Sequence, residues 1–138
     1  MRQFSAKNLL VSAATATTLA LGAGNATAED PIRLGGIYIL SGSAATYGEF
    51  AQRGINLAVE EINASGGILG RQVEVIYEDS QAKAATAIQA ARKLVYQDEV
   101  DALVGLDSSG VAQGMVPTVP ELQKPLIITH AATPDVTG

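Results

Sequence analysis

Two short polar stretches, Asp107-Ser108-Ser109-Gly110 and His130-Ala131-Ala132-Thr133, carry the side chains best suited to chemistry in this 138-residue chain. The first follows the apolar run Ala102 to Val104 and a glycine, and it opens a helix-like pattern. A strand that feeds a helix through a small polar turn aims free backbone N–H groups at one spot. That spot suits an anion, most simply a carboxylate. Ser109, His130 and Asp107 also have the residue types of a nucleophile, a base and an orienting acid. No G-x-S-x-G, P-loop or H-E-x-x-H pattern surrounds them. His130, the only histidine, reads as a loop residue with no special role, and Glu60-Glu61 as a solvated helix flank. No catalytic residue, metal ligand or cofactor is read from the sequence. Small hydroxyl residues and glycines at strand ends point to binding, with helix capping as their plainer use.

The elements that must position these turns follow from periodicity. Ile32 to Leu40 is an almost unbroken apolar run, which predicts a central parallel strand covered on both faces. It stops at Ser41-Gly42-Ser43. Thr46 and Glu49 have capping-box spacing, and Ala51, Ile55, Ala58 and Ile62 predict a helix ending near Ala64, with Gly66 as its left-handed terminator. Glu49 and Arg53 are spaced for a helical ion pair. The glycines at 66, 67 and 70 follow a helix and precede a strand, the reverse of a dinucleotide fingerprint, so they predict a turn. Val73, Val75 and Tyr77 alternate with Glu74, Ile76 and Glu78, as in a strand nearer an edge. Asp79-Ser80 is placed to cap a second helix with Ala84, Ile88, Ala91 and Val95 as its buried stripe and Arg92-Lys93 near its end. Val100 to Val104 is a third strand. Val111, Met115, Val119 and Leu122 predict a helix kinked at Pro117. Leu126 to Thr129 is a fourth strand, and residues 130–138 read as loop.

This order, βαβαβαβ with short connections, predicts an α/β fold: a parallel sheet with helices on both faces. Ligands of such sheets bind outside the carboxyl ends of the strands, where Ser41 to Ser43, Asp79-Ser80, Asp107 to Ser109 and His130 to Thr133 all fall. A receiver domain shares the topology but needs an acidic cluster after the first strand, where this chain has Leu-Ser-Gly-Ser.

The formal net charge of −5 and the lack of a Lys/Arg cluster argue against a nucleic-acid partner. The absence of cysteine excludes disulfides and thiolate chemistry. Arg2 and Lys7, the uncharged stretch Leu9 to Ala23, and Ala26-Thr27-Ala28 before Glu29 have the order of a secretory signal peptide cleaved after Ala28. The stretch is diluted by Thr and Ser and is short of the ~20 strongly apolar residues that span a bilayer. The expected product, residues 29–138, is periplasmic, without membrane insertion once the signal is removed.

Ile32 to Gly138 also resembles the first lobe of the periplasmic solute-binding proteins of branched-chain-amino-acid (leucine-binding-protein-like) ABC transporters. The resemblance is carried by Leu40-Ser41-Gly42, Tyr47-Gly48, Gly54 to Asn63, Gly66 to Arg71, Ala91 to Leu94 and Ala131 to Pro134. It implies one lobe of a two-lobed fold, with ligand in the cleft between lobes, and it reads the chain as an incomplete piece of that fold. It implies Tyr47 packing on or hydrogen-bonding the ligand, Ser109 holding a ligand carboxylate, and Ala131 and Thr133 offering backbone and hydroxyl groups to an amino-acid head. Asp107 departs from the leucine-binding pattern. A helix cap or an exposed surface group is its plainest reading, and pairing with a cation or marking another ligand class is the alternative. Gln81-Ala82-Lys83 departs from the usual Asp-Pro helix entry.

The resulting expectation is a non-enzymatic solute receptor. It would bind an amino acid or a related small carboxylate or amide and deliver it to a membrane ABC permease. The ligand-sensing half of a periplasmic signalling protein is the alternative, and a small flavodoxin-like enzyme a further one.

Overall fold

The computed structural model describes residues 29–136, so the signal-peptide reading of residues 1–28 falls outside them. Four parallel strands form one sheet: β1 (Ile32–Tyr38), β2 (Val73–Asp79), β3 (Ala102–Gly105) and β4 (Leu126–Ile128), in the spatial order β2-β1-β3-β4. The apolar run is central and the alternating one is at an edge, as their patterns require. β1 pairs Leu34 with Val75 on one side and with Ala102 on the other.

Helix α1 (Ala45–Ala64) connects β1 to β2, and α2 (Ala84–Tyr96) connects β2 to β3. The two connections run in opposite directions across the sheet, so right-handed crossovers place the helices on opposite faces. Side chains alternate accordingly. A Cβ on Gly35 would meet Leu94 of α2, whereas one on Gly36 would meet the ring of Tyr77, whose hydroxyl donates to Asn56 of α1 at 2.8 Å. The α2 face holds the core: Ile37, Ala87, Ala91, Leu94, Leu103, Val111, Met115 and Leu122 are all at most 2% exposed.

After β3 the chain forms α3 (Ser109–Met115), a 3-10 turn (Val116–Thr118) and α4 (Val119–Leu122). The predicted single helix is broken where Pro117 removes an amide donor. Gly66, at φ +100°, and Gly67 close α1, donating to Asn63 and Ile62 carbonyls at 3.1 and 2.9 Å. Glu49 and Arg53 form their ion pair at 3.7 Å.

Four sequence expectations are corrected. Thr46 does not cap α1. The turn in which Ala45 donates to Gly42 delivers the chain in helical sense two residues early, and the N-cap position is Ala44, with no side-chain cap. Asp79 and Ser80 do not cap α2, whose N-cap position is Lys83. They bond instead to the amides of Leu40, Gln81 and Ala82. The α1 stripe keeps its period but shifts phase. Ala58 and Ile62 turn outward, while Gly48, Ala51, Ile55, Val59 and Asn63 face the sheet, because the Asn63 carboxamide is drawn onto Val73. Finally, the predicted C-terminal loop contains a 3-10 turn, Pro134–Val136, set by Thr133, whose hydroxyl accepts the Asp135 amide at 3.4 Å.

Candidate functional site at the carboxyl edge of the sheet

The carboxyl ends of β1, β3 and β4 open onto three loops that are bonded to one another. The Ser109 Oγ accepts the Ala132 amide proton at 3.1 Å, which joins the loops after β3 and β4. Both oxygens of Asp107 accept the Ile39 amide, at 3.2 and 3.0 Å, joining the loop after β3 to that after β1. Asp79 Oδ1 accepts the Leu40 amide at 2.9 Å from the β2 side.

These carboxylates stand where the parallel ladder runs out. Leu106 donates to Ile37 and Ser80 donates to Tyr38, the last regular bonds on each side of β1. A continuing ladder would next offer the carbonyls of Leu106 and Ser80 to Ile39 and Leu40. Leu106 instead turns left-handed at φ +64°, and the Ser80 carbonyl accepts from Lys83. The side chains of Asp107 and Asp79 replace them. Asp107 is therefore neither a helix cap nor a bare surface group. The N-cap position of α3 is Ser108, with no side-chain cap bond.

The opposite side of Ile39 is fitted just as closely. A Cβ on Gly48 would lie 2.1 Å from the Ile39 carbonyl oxygen, so only glycine lets the first turn of α1 sit on that peptide. The same constraint holds at Gly105, at φ +140°, where a Cβ would meet the Ile37 oxygen at 2.2 Å.

Tyr47 precedes Gly48 and is 71% exposed. It borders a cavity of about 540 Å³ on the α1 face, lined by Tyr38, Tyr47, Phe50, Ala51, Gly54, Ile55, Asp107, Thr129 and His130. The cavity's polar wall is a chain of hydrogen bonds. Thr129 Oγ1 meets the Tyr38 hydroxyl at 3.3 Å and His130 Nδ1 at 2.7 Å, and donates to the Gly105 carbonyl at 3.2 Å. His130 also stands edge-on to Tyr38, 6.4 Å between centroids, so it is more than the loop residue its sequence context implies. Burial raises the Tyr38 phenol above its ordinary value, aided by the Asp107 charge and opposed by the Thr129 bond. Burial likewise pushes Tyr77 up to about 12, with Tyr38 adding to the shift. Both phenols are therefore neutral at any physiological pH.

The four predicted ligand residues are thus placed on one edge. Ser109 and the Ala131–Thr133 loop are joined directly, whereas Tyr47 lines the cavity, whose lining includes none of Ser109, Ala131 and Thr133. Ala131 is partly buried and packs against the core. Thr133 Oγ1 is engaged with Gln113 Nε2 and Asp135 Oδ2, at 3.3 Å each. Ser109, His130 and Asp107 do not form a nucleophilic triad, since each is engaged elsewhere. The α3 helix has only seven residues. Among the described residues no group of three or more His, Cys, Asp or Glu could hold a metal. Asp79, Asp107 and Gln113 were missed as organisers of the edge. Their only sequence signal is a polar side chain at or just past the end of a strand (Asp79, Asp107) or within a short helix (Gln113).

Comparison with known proteins bears on the family and the fold. The family model for periplasmic binding protein matches residues 31–138. The chain is 40% identical over 93 residues to Leu/Ile/Val-binding protein homolog 7 of Brucella abortus, covering 67% of this chain and 23% of that protein. It is 35% identical over 123 residues to Leu/Ile/Val-binding protein BraC3 of Rhizobium johnstonii, covering 89% and 33%. Among solved structures it resembles the branched-chain amino acid transporter substrate-binding protein LivJ of Streptococcus pneumoniae in complex with isoleucine. There the TM-score is 0.73 and the identity 39%, over 78% of this chain and 31% of that one. It also resembles a Rhodopseudomonas palustris ABC transporter solute-binding protein in complex with 4-hydroxybenzoate, at TM-score 0.70 and 28% identity, over 78% and 29%. The chain spans about a quarter to a third of the length of the curated relatives it matches. With its parallel sheet, its jointed carboxyl edge and a family match across the described residues, this chain belongs to the periplasmic binding protein family.

Proposed function

We propose that the chain is the first lobe of an extracytoplasmic solute receptor. The receptor binds an amino acid or a related small carboxylate or amide and passes it to an ABC permease. The observation that carries this reading is the Ser109–Ala132 bond at the sheet edge. It joins a hydroxyl to the 131–133 loop, on the same edge as the cavity that the exposed Tyr47 borders. Ser109 accepts from Ala132, so its own proton can be donated to a carboxylate, and the flanking peptides offer carbonyls to an ammonium or amide group. In this reading Tyr47 packs on the ligand's apolar part, residues 1–28 direct export and are removed, and the permease docks on the complete receptor. The isoleucine and 4-hydroxybenzoate complexes of the relatives support a small carboxylate as the common denominator.

Calorimetry on the complete two-lobed receptor tests this, with leucine, isoleucine, valine, 4-hydroxybenzoate and a small amide as ligands. The expected result is micromolar or tighter binding of at least one, on the order of 8 kcal/mol. Binding of none of them would overturn it.

A further inference from the structure

We infer that Asp107 is the positioning residue of this edge: it sets Tyr47 relative to Ser109 through the Ile39 peptide, without touching ligand. The inference rests on the receptor reading for its effect on affinity, but its geometry stands independently.

Two contacts converge on one peptide. The Asp107 carboxylate holds the Ile39 amide with both oxygens. The Ile39 carbonyl is covered by Gly48, at a distance that excludes any Cβ. The first turn of α1, which carries Tyr47, is therefore seated on a peptide whose orientation Asp107 fixes. In the other direction Asp107 is separated from Ser109 by one residue, and Ser109 holds Ala132. The carboxylate is the common joint of the tyrosine loop and the serine loop.

The local backbone is arranged for this joint. Leu106 is 1% exposed and left-handed at φ +64°, a conformation that is costly for a side chain with a Cβ. That turn removes the Leu106 carbonyl from the ladder and brings the next side chain back over Ile39. Regular pairing would have used a backbone acceptor there. A side-chain acceptor does the same bonding while letting the chain leave the sheet toward Ser109. Asp79 makes the matching bond to Leu40 on the other side, but its loop carries none of the proposed ligand residues.

The test uses the complete receptor with L-isoleucine as probe and the variants Asp107→Ala and Asp107→Asn. An Asn side chain keeps an acceptor for the Ile39 amide and loses the charge. The expected result is an affinity loss of about tenfold or more in D107A and within about threefold in D107N. Hydrogen exchange at the Ile39 amide should rise in D107A alone. A loss in D107N equal to that in D107A would overturn the inference, because the charge would then act on the ligand itself. Unchanged affinity in D107A with faster Ile39 exchange would also overturn it, reducing the bond to a support of the fold. This lobe has no Trp, so Tyr47→Trp, read as a difference spectrum against the parent receptor, reports on this site without any ligand. Its spectrum should shift when D107A is added and not with D107N. If the parent receptor takes up no isoleucine, the ligand class has failed and not the joint. In that case an emission unchanged by D107A overturns the positioning role.

Discussion

The carboxamide of Asn63 forms two hydrogen bonds with the peptide of Val73, donating to its carbonyl at 2.9 Å and accepting its amide at 2.8 Å. It pairs with the first residue of β2 much as another strand would, and it fixes the last turn of α1 to the sheet edge. Asn63→Ala removes both partners, and Val73 is 3% exposed. The expected cost is about 1–3 kcal/mol of stability, read as a lower urea midpoint with unchanged slope. Asn63→Leu should cost at least as much despite its greater apolar area, because the Val73 groups would stay unpaired.

Acid sensitivity should centre on Asp79. Desolvation raises its carboxyl pKa, but the hydrogen bonds from Ser41, Leu40 and Gln81 outweigh that and hold it below the ordinary 3.8. A carboxyl depressed in the folded state gives stability that is complete above the unfolded value and is lost as pH falls through the folded one. The expected loss therefore begins near pH 4 and grows below it. Asp79→Asn should be less stable than the parent at pH 7 and show a flatter decline below pH 4. Thermal melting across pH 2–7 provides the check, and parallel declines in the two proteins would remove Asp79 from this role.

Much of the architecture was legible because periodicity records it. The unbroken run at Ile32 to Leu40 reads as central, the alternation at Val73 to Glu78 as peripheral, and Pro117 as a break. The joints of the edge were not legible in the same way. Asp107 reaches an amide 68 residues away and Asp79 one 39 residues away, and no local pattern marks such partners. Asp107 read as a cap because caps are the commonest use of an acid at that position. The backbone reversal at Leu106 that redirects it has no sequence signature, since leucine seldom adopts it. The phase of α1 failed for a similar reason: one polar contact, Asn63 with Val73, outweighed the apolar positions Ala58 and Ile62.

Affinity should depend on Ser109 more than on Thr133. Ser109→Ala in the complete receptor is expected to weaken binding about tenfold to a hundredfold, the cost of a hydroxyl on a charged ligand group. Thr133→Ala should fall at or below the lower end, because its hydroxyl is shared with Gln113 and Asp135. His130→Ala should stay within about threefold. A larger loss there would move the ligand down into the cavity beside Tyr38. Residues 29–138 alone should bind no tighter than about millimolar, on the order of 4 kcal/mol, since binding by lobe closure needs both lobes. Calorimetry reads all of these.

The exported protein should begin at Glu29. Intact mass of periplasmic extract is the measurement, and a species retaining Met1 to Ala28 would refute the cleavage after Ala28.

The order of synthesis gives the Asp107–Ile39 joint a further meaning. The central strand is the first of the four to be made, and the carboxylate that finishes its end arrives 68 residues later. Pairings this distant form late, after the entropy of closing the intervening chain has been met. Until then the most apolar strand of the sheet waits without its second neighbour and is open to wrong partners. The edge that carries the proposed ligand residues is therefore expected to be completed late, once Asp107 has reached the Ile39 amide.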